Sequence, residues 1–233
     1  MLIGSNGYIG SLLGMCPLIQ DKVMGIPYFS NLTPNLLQNV IVINATGKTH
    51  FPIGLLDNAA IEYHEVLGGA INEFGSKIRH FVQISSSLLD ETDIVESSPY
   101  LQSKLKIESL LIEASLKYDF KLSLIRLPSI WSKHLLKQNS LLVDLLNAEY
   151  PIEPTTLSAS SRICHLASDK TLFDLLSLAL SSETKILRAQ REGVWKTNSG
   201  ETLALVNNQS DTNAFSPIQK ELWDIFYHWK FHI

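Results

Sequence analysis

The sequence predicts an α/β protein built on a doubly wound parallel sheet, and three observations carry this prediction. A short apolar start, residues 1–3, runs straight into a glycine-rich turn at residues 4–10. A later segment, residues 40–43, contains only β-branched residues, as expected for a strand buried on both faces. Strand-like and helix-like segments then alternate through residue 130, which is typical of parallel strands joined by crossover helices.

The first predicted unit joins the strand at residues 1–3 to a phosphate-binding turn. The glycines of residues 4–10 have a GxxGxxG spacing, which lets the backbone turn tightly, approach a pyrophosphate and pack a helix against the sheet. We expect a short helix from Ser11 to Met15 and a second strand from Lys22 to Ile26, which ends at Pro27. This first βαβ unit is therefore abbreviated.

The middle of the predicted sheet begins with the strand at residues 40–43, which ends in the loop Asn44–Gly47. Residues 57–75 are mostly helix formers with apolar side chains near a 3.6-residue period, and Gly75 is a candidate C-cap. Another buried strand, residues 80–84, leads into the serines of residues 85–87.

The elements that follow are a helix from Pro99 to Tyr118 and a strand from Leu122 to Leu127. The candidate loops all follow strands, and the ligand cleft of a doubly wound sheet lies beyond the carboxyl ends of its strands. Farther along the chain we predict helices at residues 135–147, 169–182 and 217–229 and a strand at residues 194–197.

Tyr100 and Lys104 are the candidate chemical groups of the predicted helix from Pro99. They are four residues apart and so share one helix face, as a hydroxyl and an ammonium must if they are to act together. A phenol with a pKa near 10 is a poor base at neutral pH, and a nearby positive charge is needed to favour its phenolate form.

Composition indicates small-molecule chemistry. The formal net charge is −4, 18% of the 233 residues are charged, and the basic residues are scattered, so no nucleic-acid partner is expected. Cys16 and Cys164 lack the spacing of a disulfide framework or a zinc site, and the histidines form no ligand pattern, so no metal is expected. No leader or membrane-spanning run is recognisable, and the expected location is the cytoplasm.

In this order the motifs resemble the extended short-chain dehydrogenase/reductase family, the branch rich in nucleotide-sugar epimerases, dehydratases and reductases. The resemblance is carried by the following segments: the glycine turn at 4–10, Val40–Gly47, Phe81–Ser87, the YxxxK sequence at 100–104, and Arg126–Ser129. It implies a Rossmann-like fold in which Tyr100 exchanges a proton with the substrate's carbonyl or carbinol oxygen while a hydride moves to or from a nicotinamide.

The resemblance also assigns the neighbours of Tyr100. Lys104 would favour the phenolate and hold the nicotinamide ribose. Ser87, which the spacing favours, or Ser86 as the alternative, would hydrogen-bond the reacting oxygen. The expected cofactor is NAD or NADP, since Ile26, Pro27 and Tyr28 offer neither the acid nor the arginine that would distinguish the two. The expected cofactor-binding residues are Gly4, Asn6, Gly7, Tyr8, Ile9, Gly10, Asn44, Ala45, Thr46, Gly47, Ser85, Tyr100, Lys104, Pro128 and Ser129.

The carboxyl-terminal half resembles the family's substrate lobe in the segments 162–169 and 193–202. Residues 1–233 are accordingly expected to form a single NAD(P)-binding Rossmann-like domain with a reduced substrate lobe, drawn mainly from residues 132–168 and 188–233. The implied substrate is a nucleotide-sugar or a similar carbonyl or alcohol compound. Reduction or epimerisation is favoured over dehydration, because Asp90 and Glu91 do not lie directly beside Ser87. A homodimer through the helices flanking the Tyr100 segment is a further expectation.

Departures from the family pattern keep two other functions open. Only 13 residues separate Ser87 from Tyr100, Glu65 stands where the pattern has asparagine, and the first βαβ unit is abbreviated. One alternative is a cofactor-binding regulatory or assembly subunit with little or no turnover. The other is a family member that acts on a natural-product intermediate.

Overall fold

The computed structural model describes residues 1–20, 22–26, 39–46, 56–90, 99–132, 163–182, 186–189, 193–196 and 204–206. The chain divides into two compact units. The first comprises residues 1–127 and 172–189, and the second comprises residues 128–171 and 190–233. Gly47 and the helices predicted at 135–147 and 217–229 lie outside the described residues.

The described strands belong to two sheets. In chain order they are β1 (Leu2–Ile3), β2 (Gly25–Ile26), β3 (Val40–Asn44), β4 (Ile78–Ser86), β5 (Lys121–Leu127), β6 (Ser129–Trp131), β7 (Ile163–Ser168), β8 (Ile186–Arg188), β9 (Gly193–Lys196) and β10 (Ala204–Val206). The first unit contains a six-stranded sheet in the order β2-β1-β3-β4-β5-β8, and all of its neighbouring strands are parallel. The predicted α/β fold class is confirmed.

The described helices are α1 (Tyr8–Gly14), α2 (Leu56–Phe74), α3 (Pro99–Tyr118) and α4 (Asp169–Ser181). Two 3-10 turns, Gly75–Lys77 and Ser87–Asp90, adjoin β4 on either side. Asp119 ends α3 in the left-handed conformation, with φ of 56°. Within the parts of the chain that the structure covers, no helix is both long and apolar enough to cross a membrane.

Helices cover both faces of the first sheet because side chains alternate along its strands. On β5, Leu122 and Leu124 pack in one apolar cluster with Leu67 of α2 and Leu111 of α3. Ser123 lies between these two leucines and points the opposite way, where its hydroxyl reaches the Ala179 carbonyl of α4 at 3.5 Å. The sheet is thus doubly wound, as its sequence predicts.

Several element boundaries differ from those expected. α1 begins at Tyr8 rather than Ser11, so the helix starts directly after the glycine turn. β2 is confined to Gly25–Ile26. β4 runs on through Ser86, because its pairing with β5 continues to Ser86 opposite Leu127, and two of the three serines are therefore strand residues.

Gly75 has a different role from the predicted helix cap. It follows α2 as the first residue of a 3-10 turn, and the left-handed glycine among the described residues is Gly4, not Gly75. A Cβ atom at Gly75 would lie 2.6 Å from the ring of Tyr118. Residue 75 must be small because Tyr118, the last residue of α3, packs against it.

The second unit contains a four-stranded sheet in the order β10-β9-β7-β6. β6 and β7 are parallel, whereas β9 is antiparallel to both β7 and β10. The β9 strand occupies most of the predicted strand at residues 194–197. Just beyond β6, the fully buried Ser132 donates a short hydrogen bond to Asp169, the first residue of α4.

His80 is a buried histidine at the start of β4, remote from the carboxyl end of the strand. Its Nε2 lies 2.9 Å from the Ser123 hydroxyl. Burial, followed by the charges of Lys121 and Arg79, lowers the pKa of His80 from 6.5 to about 4. The folded protein therefore holds this imidazole neutral under conditions in which the unfolded chain protonates it.

We predict a pH-dependent stability from this residue. Its contribution is fully present above pH 6.5 and is lost as the pH falls toward about 4, because only the unfolded state takes up the proton there. The loss should be on the order of 3 kcal/mol. Urea unfolding at several pH values between 4 and 7 measures this loss. The free energy of unfolding should change less steeply with pH in His80→Gln than in the unaltered protein, and an equal pH dependence in both proteins would contradict the prediction.

Candidate active site

The candidate site lies at the carboxyl edge of the first sheet, where the direction of strand addition reverses. β1 pairs with β2 on one side and with β3 on the other, and both pairings are parallel. Loops that leave two such strands diverge and open a crevice between them. The glycine turn follows β1 and the Asn44–Thr46 segment follows β3, so both predicted cofactor loops flank this point.

Gly4 has a steric reason to be glycine. Its φ of +81° is a left-handed conformation that side chains disfavour. A Cβ atom there would also lie 2.9 Å from the backbone of Ala45 and Thr46. The turn after β1 therefore passes in direct contact with the end of β3.

Gly10 packs α1 onto the turn that precedes it. A Cβ atom at Gly10 would lie 2.0 Å from the carbonyl oxygen of Gly4, which no side chain can meet without moving the turn. Gly7 is the N-cap residue of α1, and its N–H donates to the Gly4 carbonyl at 2.9 Å. Asn6 and Gly7 are exposed at the tip, while Tyr8 and Ile9 are half-buried in the first turn of the helix.

The end of β3 is held by a chain of buried amides. Asn44, fully buried, accepts hydrogen bonds from the backbone N–H and the hydroxyl of Thr46 at 3.1 and 2.6 Å. Its own amide donates to Gln83 of β4 at 2.7 Å, and Gln83 donates to the Ile84 carbonyl at 2.6 Å. Gln83 was not a predicted site residue, although a glutamine within an apolar strand is a signal for a buried polar contact.

The three serines after the apolar part of β4 have different surroundings. Ser85 is buried, and its hydroxyl is the buried side-chain atom without a hydrogen-bond partner among the described residues. Ser86 accepts a hydrogen bond from the backbone of Leu88 at 3.3 Å and is the hydrogen-bonding partner that acts on Tyr100. Ser87 is half-buried and begins the 3-10 turn.

Tyr100 and Lys104 lie on one face of α3, as their spacing predicts. The ammonium of Lys104 is 5.8 Å from the centre of the Tyr100 ring. Burial raises the pKa of Tyr100, and hydrogen bonding to Ser86 lowers it by less. Burial lowers the pKa of Lys104 to about 8, against the opposing charge of Glu108. At neutral pH the site therefore presents a protonated phenol beside an ammonium.

A charged network lies behind these two residues. The guanidinium of Arg126, on β5, donates to both oxygens of the buried Glu108, at 3.2 and 2.6 Å. A third N–H donates to Asp90 at 2.6 Å, and Arg188 of β8 donates to the same carboxylate at 3.0 Å. Glu108 was not predicted, although it continues the four-residue spacing of Tyr100 and Lys104.

The structure thus gathers most of the predicted site residues in the first unit. Hydrogen bonding to Ser86 lowers the pKa of Tyr100, and the role of Ser87 as the serine that orients the substrate oxygen stays a prediction. Pro128 and Ser129 follow β5 and belong to the second unit.

The features of this edge fit a nicotinamide dinucleotide. The turn at Gly4 and Gly10 has no room for side chains and exposes backbone at its tip, as close approach to a pyrophosphate requires. The buried hydroxyl of Ser85, which has no hydrogen-bond partner in the described parts of the chain, and the buried ammonium of Lys104 are polar groups that a bound ligand would satisfy.

Comparison with known proteins gives matches at the level of structure. Neither a protein-family model nor a curated protein sequence matches the chain. The UDP-N-acetylglucosamine 4-epimerase of Methanobrevibacter ruminantium M1, solved with UDP-N-acetylmuramic acid, is similar to it with a TM-score of 0.66 and 12% identity, over 100% of this chain and 98% of that one. TunA, an NAD-dependent NDP-hexosamine 5,6-dehydratase of tunicamycin biosynthesis, gives 0.66 and 10%, over 98% and 96%.

CapF, a capsular polysaccharide assembling protein from Staphylococcus aureus, is a longer relative in structure. It matches with a TM-score of 0.57 and 15% identity over 98% of this chain, which spans 56% of the length of CapF. These similarities and the parallel six-stranded sheet agree, and the chain has the fold of the NAD-dependent epimerases and dehydratases of the extended short-chain dehydrogenase/reductase family.

Proposed function

We propose that the protein is an NAD(P)-dependent reductase or epimerase acting on a nucleotide-sugar or a similar carbonyl or alcohol substrate. The observation that carries this proposal is the convergence of Tyr100, Lys104 and Ser86 at the sheet edge that also bears the glycine turn. A nicotinamide cofactor, when bound, would accept or supply the hydride. The proton chemistry belongs to the chain itself.

Tyr100 is the proposed proton donor and acceptor. Because burial keeps its phenol protonated at neutral pH, Tyr100 is ready to donate a proton to a carbonyl oxygen as that oxygen gains charge. Lys104, with a pKa of about 8, is charged at pH 7 and stabilises the phenolate that remains. Ser86 and Ser87 are the candidates for the hydroxyl that orients the substrate oxygen, and the contact with Tyr100 favours Ser86.

The proposed cofactor site uses the residues predicted from sequence. Residues 4–10 would hold the pyrophosphate, and Lys104 would hold the nicotinamide ribose. The Ser85 hydroxyl would form a hydrogen bond with the cofactor. The second unit is the proposed substrate lobe. The similar structures support the substrate class, since the epimerase is named for a UDP-sugar and TunA for an NDP-hexosamine.

A cofactor-binding subunit with little turnover is the second candidate. The abbreviated first unit favours it, because β1 and β2 have two residues each and α1 has seven. A third candidate, an enzyme for a natural-product intermediate, draws support from the similarity to TunA. Turnover and substrate screening separate these from the leading proposal.

The glycine turn generates a matched pair of variants. Gly10→Ala should weaken NAD(P)H binding at least about tenfold, because a Cβ atom 2.0 Å from the Gly4 carbonyl displaces the turn. Gly14→Ala is the control in the same helix, since a Cβ atom there meets nothing within 4 Å. Quenching of tryptophan fluorescence on cofactor titration measures both, with circular dichroism to verify folding. Equal affinity in the two variants would place the dinucleotide elsewhere.

Tyr100→Phe tests the chemistry. Loss of a positioned proton donor should lower turnover about 10²- to 10⁴-fold while cofactor affinity is retained. Tyr118→Phe, which removes a hydroxyl bonded to Asn72 at an exposed position, is the control and should retain activity. Turnover is measured by mass spectrometry on a panel of nucleotide-sugars. Comparing Ser86→Ala with Ser87→Ala in the same assay tests which serine orients the substrate oxygen. Tight cofactor binding with no turnover by the unaltered protein would favour the regulatory subunit.

A homodimer is proposed through the outer surface of α3. Leu105, Ile112 and Leu116 recur at helical spacing and are 44%, 42% and 75% exposed, and Val66 of the adjacent α2 is 43% exposed. An apolar stripe of this kind on a helix pair is suited to a second copy of the same helices.

Leu116→Glu should therefore shift the protein toward the monomer, because it places a charge in the proposed interface. Leu178→Glu alters a 46% exposed leucine on α4 and should leave the oligomeric state unchanged. Size-exclusion chromatography with light scattering, over a range of concentrations, measures both. A monomeric unaltered protein, or equal effects of the two substitutions, would reject this interface.

A further inference from the structure

Arg126 occupies a central position that the proposed reaction does not use. Its guanidinium donates three hydrogen bonds at 2.6 to 3.2 Å, two to Glu108 and one to Asp90. The side chain of Arg126 is 11% exposed and that of Glu108 is 3% exposed, so this ion pair is largely removed from water. Removing one partner would leave a buried charge uncompensated, which is far more costly than losing a surface pair.

The two carboxylates belong to the two elements that carry the proposed catalytic groups. Asp90 ends the 3-10 turn that begins at Ser87, directly after Ser86. Glu108 lies one helical turn beyond Lys104, which in turn lies one turn beyond Tyr100. One edge of the Arg126 guanidinium therefore contacts Glu108 on the helix that contains Tyr100 and Lys104. The other edge contacts Asp90 at the end of the serine turn.

The chemistry of the side chain suits this double contact. A planar guanidinium presents several N–H donors in a rigid fork and can bond two carboxylates at once, which an ammonium cannot do with the same geometry. Arg126 lies on β5 opposite Ser85 of β4, so its backbone is fixed beside the strand that leads into the serine turn. Arg188, opposite Arg126 on β8, holds Asp90 from a second side.

We propose that Arg126 is a positioning residue that fixes the serine turn and the Tyr100–Lys104 helix relative to each other through Asp90 and Glu108. This role deepens the proposed function, on which the catalytic meaning of the two elements rests. Glu108 has a second effect through the same geometry, because its negative charge favours the ammonium form of Lys104 against burial. Arg126 limits that effect by neutralising Glu108.

The spanning role is tested by hydrogen exchange of the full chain, measured by mass spectrometry. Arg126→Gln should accelerate exchange at least about threefold in two peptides, one covering residues 85–90 and one covering residues 100–108. Asp90→Asn should accelerate only the first and Glu108→Gln only the second. Arg79→Gln, on the same sheet and exposed, is the matched control and should change neither.

The electrostatic role is tested by the titration of Lys104, followed by NMR of 13Cε-labelled lysine and assigned with Lys104→Met. Glu108→Gln should lower the pKa of Lys104 and Arg126→Gln should raise it, each by up to about one unit. A merely structural role would admit water in both variants and move the pKa upward in both. Opposite shifts are the expected result, and shifts in the same direction overturn the electrostatic coupling.

These measurements need no substrate or cofactor, so they remain informative if the proposed function fails. If the unaltered protein does not bind NAD(P)H, the proposed function is rejected. The hydrogen-exchange results still test whether Arg126 fixes the two elements. Unchanged exchange at residues 85–90 in Arg126→Gln would reject the positioning role even in an active enzyme. If Arg126→Gln does not fold, Arg126→Lys is used in its place. Hydrogen exchange should then be faster in both peptides, and unchanged exchange would contradict the positioning role.

Discussion

The burial of charge beneath α3 is the constraint on which the site depends. The inner face of this helix contains Lys104 and Glu108, at 8% and 2% exposure, beside buried apolar residues such as Leu111. Placing a lysine and a glutamate against the sheet is costly unless each is compensated. Arg126 compensates Glu108, which explains an arginine near the end of β5, and the charge of Glu108 in turn helps Lys104 to remain protonated.

A steric constraint complements this electrostatic one at the other side of the same edge. The turn after β1 is packed so closely that Gly4 contacts the end of β3 and Gly10 contacts Gly4. β1 has only two residues, but backbone hydrogen bonds to Met24, Ile26 and Ala45 tie it and its turn to both neighbours. Close packing therefore replaces strand length in fixing this loop.

Much of the fold was predictable because it follows from local patterns. Periodicity and β-branched runs predicted the parallel sheet, the full extent of α3 and the shared face of Tyr100 and Lys104. Contacts between distant residues were not predictable in this way. Ser86 acts on Tyr100 because β4 continues two residues beyond its apolar run, and Glu108 meets Arg126 only once β5 is placed beneath α3. Residue 75 must likewise be small because the ring of Tyr118, a residue far away in sequence, packs against it.

The protonation states of Tyr100 and Lys104 favour one direction of the proposed reaction. Burial acts on both groups in the sense that removes charge, raising the pKa of Tyr100 and lowering that of Lys104. A protonated phenol can donate to a carbonyl oxygen directly, so the proposed reaction in the direction of reduction would need no prior ionisation of Tyr100. Oxidation of an alcohol requires the phenolate, and Tyr100 reaches that form only if additional positive charge outweighs its burial. Lys104 supplies part of that charge, and Glu108 and Arg126 together determine how much of it is available.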